Sequence, residues 1–133
     1  MKELSNMNKV EMTIVEGVDS LVELCYNNAK VGGWWNDVNT NEPLIRNKGE
    51  LLMLIVSEVS EAMEAARKDL MDDKLPHRKG LEVELADAVI RIADFCGGFN
   101  LDLAGAIIEK LDYNSHRADH KPENRRLAGG KQF

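Results

Sequence analysis

The segment from Leu81 to Cys96 constrains the fold more than any other part of the chain. It is apolar around most of its circumference, and beyond its first turn its charged residues are Glu84, Asp87, Arg91 and Asp94. Steps of three, four and three residues place these charges on one narrow stripe, because successive residues of an α-helix are about 100° apart. A surface helix would have a wide polar face. The pattern predicts a largely enclosed helix with acids along one line.

Three other segments have helical patterns. A first helix is predicted from about Asp19-Ser20 to Lys30, and a second from Asn47, a capping residue with Glu50 three positions later, to about Lys68. Gly97-Gly98 is predicted to end the third helix, and a fourth runs from Asn100 or Leu101 to His116. No segment alternates as a strand would, so the sequence predicts an all-α, four-helix bundle-like fold.

The length of 133 residues predicts a single domain. Residues 1–17 lack steady periodicity and are predicted to form a loosely ordered arm. Residues 118–133 contain Pro122 and Gly129-Gly130, which predict an irregular tail.

Composition excludes several classes of partner. The net charge of −6 and the aromatic content of 5% argue against binding a nucleic acid polymer. The longest apolar run, Leu51 to Val56, is far too short for a membrane span. The N-terminus has no signal-like segment, and Cys25 and Cys96 are predicted to be reduced thiols in a cytoplasmic protein.

Two acidic pairs occur on consecutive apolar helices. Glu58 and Glu61 lie one turn apart on the second helix, as Glu84 and Asp87 do on the third. If these helices pack antiparallel, four carboxylates converge, and a divalent cation such as Mg²⁺ or Mn²⁺ offsets their repulsion. Three arrangements without a metal are also open: the acids are solvated, they are protonated, or they pair with Arg91, which lies four residues after Asp87.

The fourth helix places Lys110, Asn114 and Arg117 on one face. Such a row suits phosphate oxygens, although cations near a helix C-terminus are common without a ligand. The acids and this row together predict a site for a metal–polyphosphate complex. Of the adjacent Trp34 and Trp35, one is expected to anchor the core and the other to be free to stack on a base.

These motifs resemble a known family. Glu58-x-x-Glu61 followed by Glu84-x-x-Asp87 is similar to the signature of the all-α nucleoside triphosphate pyrophosphohydrolases, the MazG-like superfamily. The resemblance covers roughly residues 30–133 and is closest to the short, single-domain branch. It includes the surrounding residues Gly49-Glu50-Leu51-Leu52, Ser57–Ala62 and Glu84–Arg91, the Lys110-x-x-x-Asn114-x-x-Arg117 row and the ending Gly130-Lys131-Gln132-Phe133. Many relatives have a further acid where this chain has Ser57, which leaves one potential metal ligand fewer.

The resemblance implies an enzyme, a hydrolase of acid anhydrides. It would convert a nucleoside or deoxynucleoside triphosphate to the monophosphate and pyrophosphate. Glu58, Glu61, Glu84 and Asp87 would hold Mg²⁺, and Glu61 would orient or deprotonate the attacking water. The same resemblance implies a homodimer or homotetramer.

The remaining site residues follow from the same resemblance. Lys110 and Asn114, with Arg117, would hold the phosphates or the sugar, and Trp34 or Trp35 would contact the base. Two alternatives stay open at this point. One is a phosphoribosyl-ATP pyrophosphohydrolase, and the other is a non-catalytic helical module that binds a nucleotide or a protein.

Overall fold

The structure, a computed structural model, describes residues 4–133, with the side chain of Leu4 excepted. It contains five helices: α1 (Lys9–Val31), α2 (Lys48–Lys68), α3 (Gly80–Gly98), α4 (Leu103–His116) and the short α5 (Pro122–Arg125). Single 3₁₀ turns lie at Leu4–Asn6 and Ala118–His120, and the described part contains no β-strand. The prediction of an all-α fold is therefore confirmed. None of the helices in this part combines the length and apolar character that a membrane crossing needs.

Helix α1 begins ten residues earlier than the sequence pattern predicts, at Lys9 instead of Asp19. The cause is a capping box: Asn8 Oδ1 accepts from the Glu11 N–H at 2.9 Å, and Glu11 Oε2 accepts from the Asn8 N–H at 3.0 Å. The predicted arm of residues 1–17 is therefore helical from Lys9 onward, and residues 1–3 lie outside the described part.

Helix α2 begins and ends as predicted. Asn47 Oδ1 accepts from the Glu50 N–H at 3.1 Å, and the helix ends at Lys68 before Asp69, whose φ of 48° is left-handed. Helix α4 begins at Leu103, slightly later than predicted, because Asp102 caps it by accepting from the Gly105 N–H at 2.8 Å.

The prediction that Gly97-Gly98 ends α3 is confirmed, because they are the last two residues of the helix. They also serve close packing. A Cβ on Gly98 would lie 2.1 Å from the indole ring of Trp35, and one on Gly97 would lie 2.5 Å from Tyr26 Cβ. The missing side chains therefore let two aromatic residues approach the helix backbone directly.

Replacing Gly98 with alanine is expected to lower the free energy of unfolding by about 1–3 kcal/mol, because the added methyl group overlaps Trp35. Gly17→Ala in α1 is the matched control. A Cβ there meets nothing within 4 Å, so this change is expected to raise stability by about 0.5–1 kcal/mol. Urea unfolding followed by circular dichroism measures both effects. Equal stabilisation by the two substitutions would show that Trp35 does not pack against Gly98.

The described residues form two compact units, one of residues 20–101 and one of residues up to 19 together with 102–133. Within the first unit α2 and α3 pack antiparallel, since Glu58 contacts Arg91 whereas Ala65 lies against Gly80. Small residues on the facing sides, which include the buried Ala62 and Ala88, let the two backbones approach closely. This antiparallel packing brings the two acidic pairs to the same level.

The sequence predicts that α3 is largely enclosed, but within a single chain it stays partly exposed. Several of its large apolar side chains stay substantially exposed: Leu81, Leu85, Val89, Ile90 and Ile92. On α2 the same holds for Leu52, Met53, Leu54, Val56, Val59 and Met63. The contact between α2 and α3 is made mainly by alanines, and the longer apolar side chains lie outside it. Much apolar surface therefore faces away from the α2–α3 seam.

Candidate functional site

Three carboxylates converge on the seam between α2 and α3. One oxygen each from Glu58, Glu84 and Asp87 lie within 4.8 Å of one another. Glu58 is buried, with 7% of its surface exposed, and the other two are half-buried. The sequence prediction that acids of the two helices meet is therefore realised for these three side chains. Their hard oxygen donors are those that Mg²⁺ or Mn²⁺ prefers.

Arg91 is the cation of this cluster. Its Nε donates to Glu58 Oε1 at 2.6 Å, across the seam rather than to Asp87 one turn away on its own helix. Burial raises the pKa of Glu58, but the hydrogen bond and charge of Arg91 outweigh burial and hold that pKa below its ordinary value. Glu58 is therefore ionised and already partly neutralised without a metal.

Glu84 shows the opposite behaviour. Burial, followed by the negative charges of Glu61, Glu58 and Asp87, raises its pKa from 4.5 to about 7. Glu84 also forms a side-chain hydrogen bond with Glu58, which raises the pKa of Glu84 and lowers that of Glu58, so Glu84 is the donor of this bond when it is protonated. Burial and the charge of Glu58 likewise raise the pKa of Asp87. The group has one arginine for three acids, and a divalent cation would supply the missing charge, so the residues present fit a metal site.

The excess of acids over cations in this cluster predicts that the stability of the protein depends on pH in metal-free buffer. A group with a folded-state pKa above its unfolded value binds more protons when folded, so its contribution is lost as pH rises. For Glu84 the loss occurs between about pH 4.5 and just above 7, and after allowance for partial exposure it amounts to about 1–3 kcal/mol. Denaturant titrations across this range should show that decrease in wild type and a flatter profile in Glu84→Gln. Identical profiles would contradict the buried, crowded environment of Glu84.

Glu61 lies at the edge of the cluster. It is exposed and hydrogen-bonds to Glu58, but it is not one of the three side chains whose oxygens come within 4.8 Å. Its negative charge nevertheless acts on Glu84. This exposed carboxylate beside the cluster is accessible to water, whereas the three converging acids face one another.

The two tryptophans separate as the sequence predicts. Trp35 is buried, and its indole Nε1–H donates to Asp94 Oδ1 at 2.7 Å, with Tyr26 and Phe99 edge-on to its ring. Trp34 is 63% exposed. Trp35 is therefore part of the hydrophobic core, and Trp34 is the indole that remains available to stack on a base.

Arg46 was not singled out by the sequence pattern. Its Nη1 donates to the carbonyl oxygen of Trp34, and its guanidinium lies 5.7 Å from the centre of the Trp35 ring. Burial raises the pKa of Asp94, and the Trp35 hydrogen bond and the charge of Arg46 oppose that rise. Arg46 thus holds the Trp34-Trp35 loop in place. Its only sequence signal is a cation just before the Asn47 cap, in a loop without periodicity.

The predicted cationic row lies in the other unit. Lys110 Nζ is 4.6 Å and the Arg117 guanidinium 5.9 Å from the ring centre of Tyr113, so both cations lie near the same ring. Arg117 follows the last residue of α4 and has an extended backbone, so the predicted row on one helix face holds for Lys110 and Asn114 only. Arg117 also donates to both carboxylate oxygens of Asp119, at 3.0 and 2.7 Å. Asn114 Oδ1 is buried and has no hydrogen-bond partner among the described residues. Such an orphan acceptor costs about 1–3 kcal/mol, which a donor from a ligand would recover.

Comparisons of the chain with known protein families, with curated proteins and with solved structures find no match. An assignment of function therefore depends on the geometry of these side chains and on the sequence motifs.

Proposed function

We propose that the chain is a Mg²⁺-dependent nucleoside triphosphate pyrophosphohydrolase with a MazG-like helical bundle. The convergence of Glu58, Glu84 and Asp87 carries the proposal, because three crowded acids with one arginine favour a divalent cation. The reaction breaks the anhydride bond between the α- and β-phosphates of a nucleoside or deoxynucleoside triphosphate. Water supplies the new oxygen, and the monophosphate and pyrophosphate leave.

Glu58, Glu84 and Asp87 would hold Mg²⁺, with Glu61 as the outermost acid of the set. When bound, the ion neutralises phosphate oxygens and lowers the pKa of a water. Glu61 orients the attacking water and accepts its proton, since it is exposed and carries no counter-cation among the described ion pairs. Arg91 keeps Glu58 ionised and in position, which preserves an anionic ligand at neutral pH.

The substrate contacts follow the resemblance of the motifs. Lys110 and Asn114 bind the phosphates or the sugar, and the orphan oxygen of Asn114 suits a sugar hydroxyl donor. Arg117 is a weaker phosphate ligand because Asp119 already engages it. Trp34 stacks on the base, whereas Trp35 supports the loop from the core.

A homodimer or homotetramer belongs to the same proposal. The open apolar side chains of α2 and α3, such as Val59 and Leu85 at 51% and 47% exposure, favour burial against another copy. Analytical ultracentrifugation tests this. A sedimentation profile of monomer alone at micromolar concentration would contradict it.

A nucleotide panel tests the activity. Purified protein is incubated with Mg²⁺ and each of the ribo- and deoxyribonucleoside triphosphates, and with phosphoribosyl-ATP as the substrate of the alternative enzyme, while pyrophosphate release is followed. We expect pyrophosphate and monophosphate in equal amounts from at least one triphosphate. Absence of turnover on every member, with circular dichroism showing intact helices, would contradict the proposed activity.

The Arg91–Glu58 ion pair favours a second candidate, a non-catalytic helical module in which the acids are purely structural. The two candidates differ in what happens when Arg91 is removed. Arg91→Met should lower the free energy of unfolding in metal-free buffer by about 1–3 kcal/mol. This loss lies between those expected for removing one partner of an exposed ion pair and of a buried ion pair. For a metal-binding cluster, excess Mg²⁺ should then raise the melting temperature of the variant at least as much as that of wild type.

Arg78→Met is the matched control, because Arg78 is exposed and pairs with Glu82 at 3.6 Å outside the cluster. It should change stability by less than about 0.5 kcal/mol, and Mg²⁺ should affect it as it affects wild type. Melting temperatures that do not respond to Mg²⁺ in any of the three proteins would favour the non-catalytic module.

A further inference from the structure

The C-terminal segment after α4 forms a cavity that is open to solvent and that the proposed hydrolysis does not use. Its volume is about 210 Å³, and it is lined by Asp119, His120, Arg125, Lys131 and Phe133. A single water needs only about 10–15 Å³ on this measure, so the cavity has room for a polyatomic ligand.

Local hydrogen bonds fold the segment back on itself and so build the cavity. Arg125 donates from Nε to the Lys131 carbonyl at 3.1 Å and from Nη2 to the Gln132 carbonyl at 3.2 Å. The positive φ of 78° at Gly129 turns the chain, and the Gly130 N–H donates to the Leu127 carbonyl at 2.9 Å. Arg125 thereby holds Lys131 on the wall of the cavity.

The cavity contains more positive than negative charge. Lys131 Nζ lies 3.5 Å from His120 Nε2, within hydrogen-bond distance, so the two side chains line the cavity side by side. Both are 3.9 Å from Asp119 Oδ2, which is already bonded by Arg117. Arg125 has no carboxylate within ion-pair distance in the described part of the chain.

The sequence around the cavity also has an excess of positively charged residues. Residues 117–133 contain more arginines and lysines than acids, although the whole chain has a net charge of −6. Attraction of an anion to this segment is therefore a local property that the rest of the chain opposes.

We propose that this cavity binds a phosphate group, either free inorganic phosphate or the phosphate ester of a nucleotide. A tetrahedral phosphate presents several acceptor oxygens at once, which suits an ammonium, an imidazole and a guanidinium on the walls of one cavity. Asp119 has the only acidic side chain among the lining residues, and the bidentate bond from Arg117 offsets its charge. This site needs no metal and goes beyond the proposed hydrolysis.

The test is a titration of the full chain in metal-free buffer with inorganic phosphate and, separately, with a nucleoside monophosphate. Two-dimensional ¹H–¹⁵N NMR follows the Arg125 Nε–H and the backbone amides of His120 and Lys131. We expect saturable shifts at these residues. Lys131→Met should weaken binding roughly tenfold or more, because it removes a charged donor and leaves the carbonyl that Arg125 uses.

Lys121→Met is the matched control, since it removes the same charge from the same segment but does not line the cavity. It should weaken binding less than about twofold. Equal affinity for the two ligands would assign the site to the phosphate itself, and tighter binding of the monophosphate would assign it to a nucleotide. Shifts that do not saturate, or equal losses in both variants, would overturn the proposal. With no divalent ion present, failure here is distinct from failure of the nucleotide panel.

Discussion

Replacing Glu84 with glutamine is expected to reduce Mg²⁺-dependent pyrophosphate release by more than about a hundredfold, because the cluster loses a ligand charge at its centre. Burial, and after it the charges of Glu61, Glu58 and Asp87, raise the pKa of Glu84 to about 7. Glutamine has nearly the same shape, so the antiparallel seam of small residues should stay intact. In metal-free buffer above pH 7 the variant should even be more stable than wild type, since a repelled charge is gone.

Glu82→Gln provides the comparison for this experiment. Glu82 lies two residues away on α3, is exposed, and has Arg78 as its partner at 3.6 Å. This variant should keep activity within about twofold of wild type. If Glu84→Gln retained full activity, or if both variants lost activity alike, the cluster would not be the metal site of the enzyme.

Replacing Glu61 with glutamine is expected to lower turnover by about 10²–10⁴-fold, the range for loss of a general base. The physical reason is that an amide cannot accept the proton of the attacking water. Because Glu61 is exposed and contributes no buried apolar contact, helicity and melting temperature should be close to those of wild type. Initial rates at saturating Mg²⁺ separate this effect from weakened metal binding.

Glu64→Gln serves as the control on α2, one turn beyond Glu61. Glu64 pairs with Lys68 at 2.5 Å and with Arg67 at 3.9 Å, away from the converging acids. Its substitution should leave turnover unchanged. An active Glu61→Gln enzyme would assign proton transfer to a different group, while the assignment of Glu58, Glu84 and Asp87 to the metal would be tested separately.

The regular parts of the fold could be predicted because their signals are local. The Asn47 cap, the end of α2 and the absence of strands follow from capping chemistry and periodicity. The narrow stripe on α3 also placed Glu84 and Asp87 correctly on the side that meets α2. The Asn8–Glu11 capping box is also present in the sequence, but the apolar pattern after it is too weak to indicate that α1 starts there.

Features that depend on contacts distant in sequence could not be predicted in this way. Helix spacing suggested that Arg91 pairs with Asp87, whereas the structure places it across the seam on Glu58, 33 residues away in the chain. Gly97 and Gly98 correctly indicated the end of α3, but nothing local in the sequence showed that Trp35 packs on Gly98. Spacing also grouped four acids as one metal-binding set, whereas the packing of α2 on α3 separates the exposed Glu61 from the converging three.

The metal-binding role of the acidic cluster is tested most directly by anomalous X-ray diffraction from crystals of the protein soaked in Mn²⁺. We expect an anomalous peak within coordination distance of carboxylate oxygens of Glu58, Glu84 and Asp87, with Arg91 still close to Glu58. A well-ordered cluster without such a peak, in which the Arg91–Glu58 ion pair alone neutralises the acids, would contradict a metal site between α2 and α3.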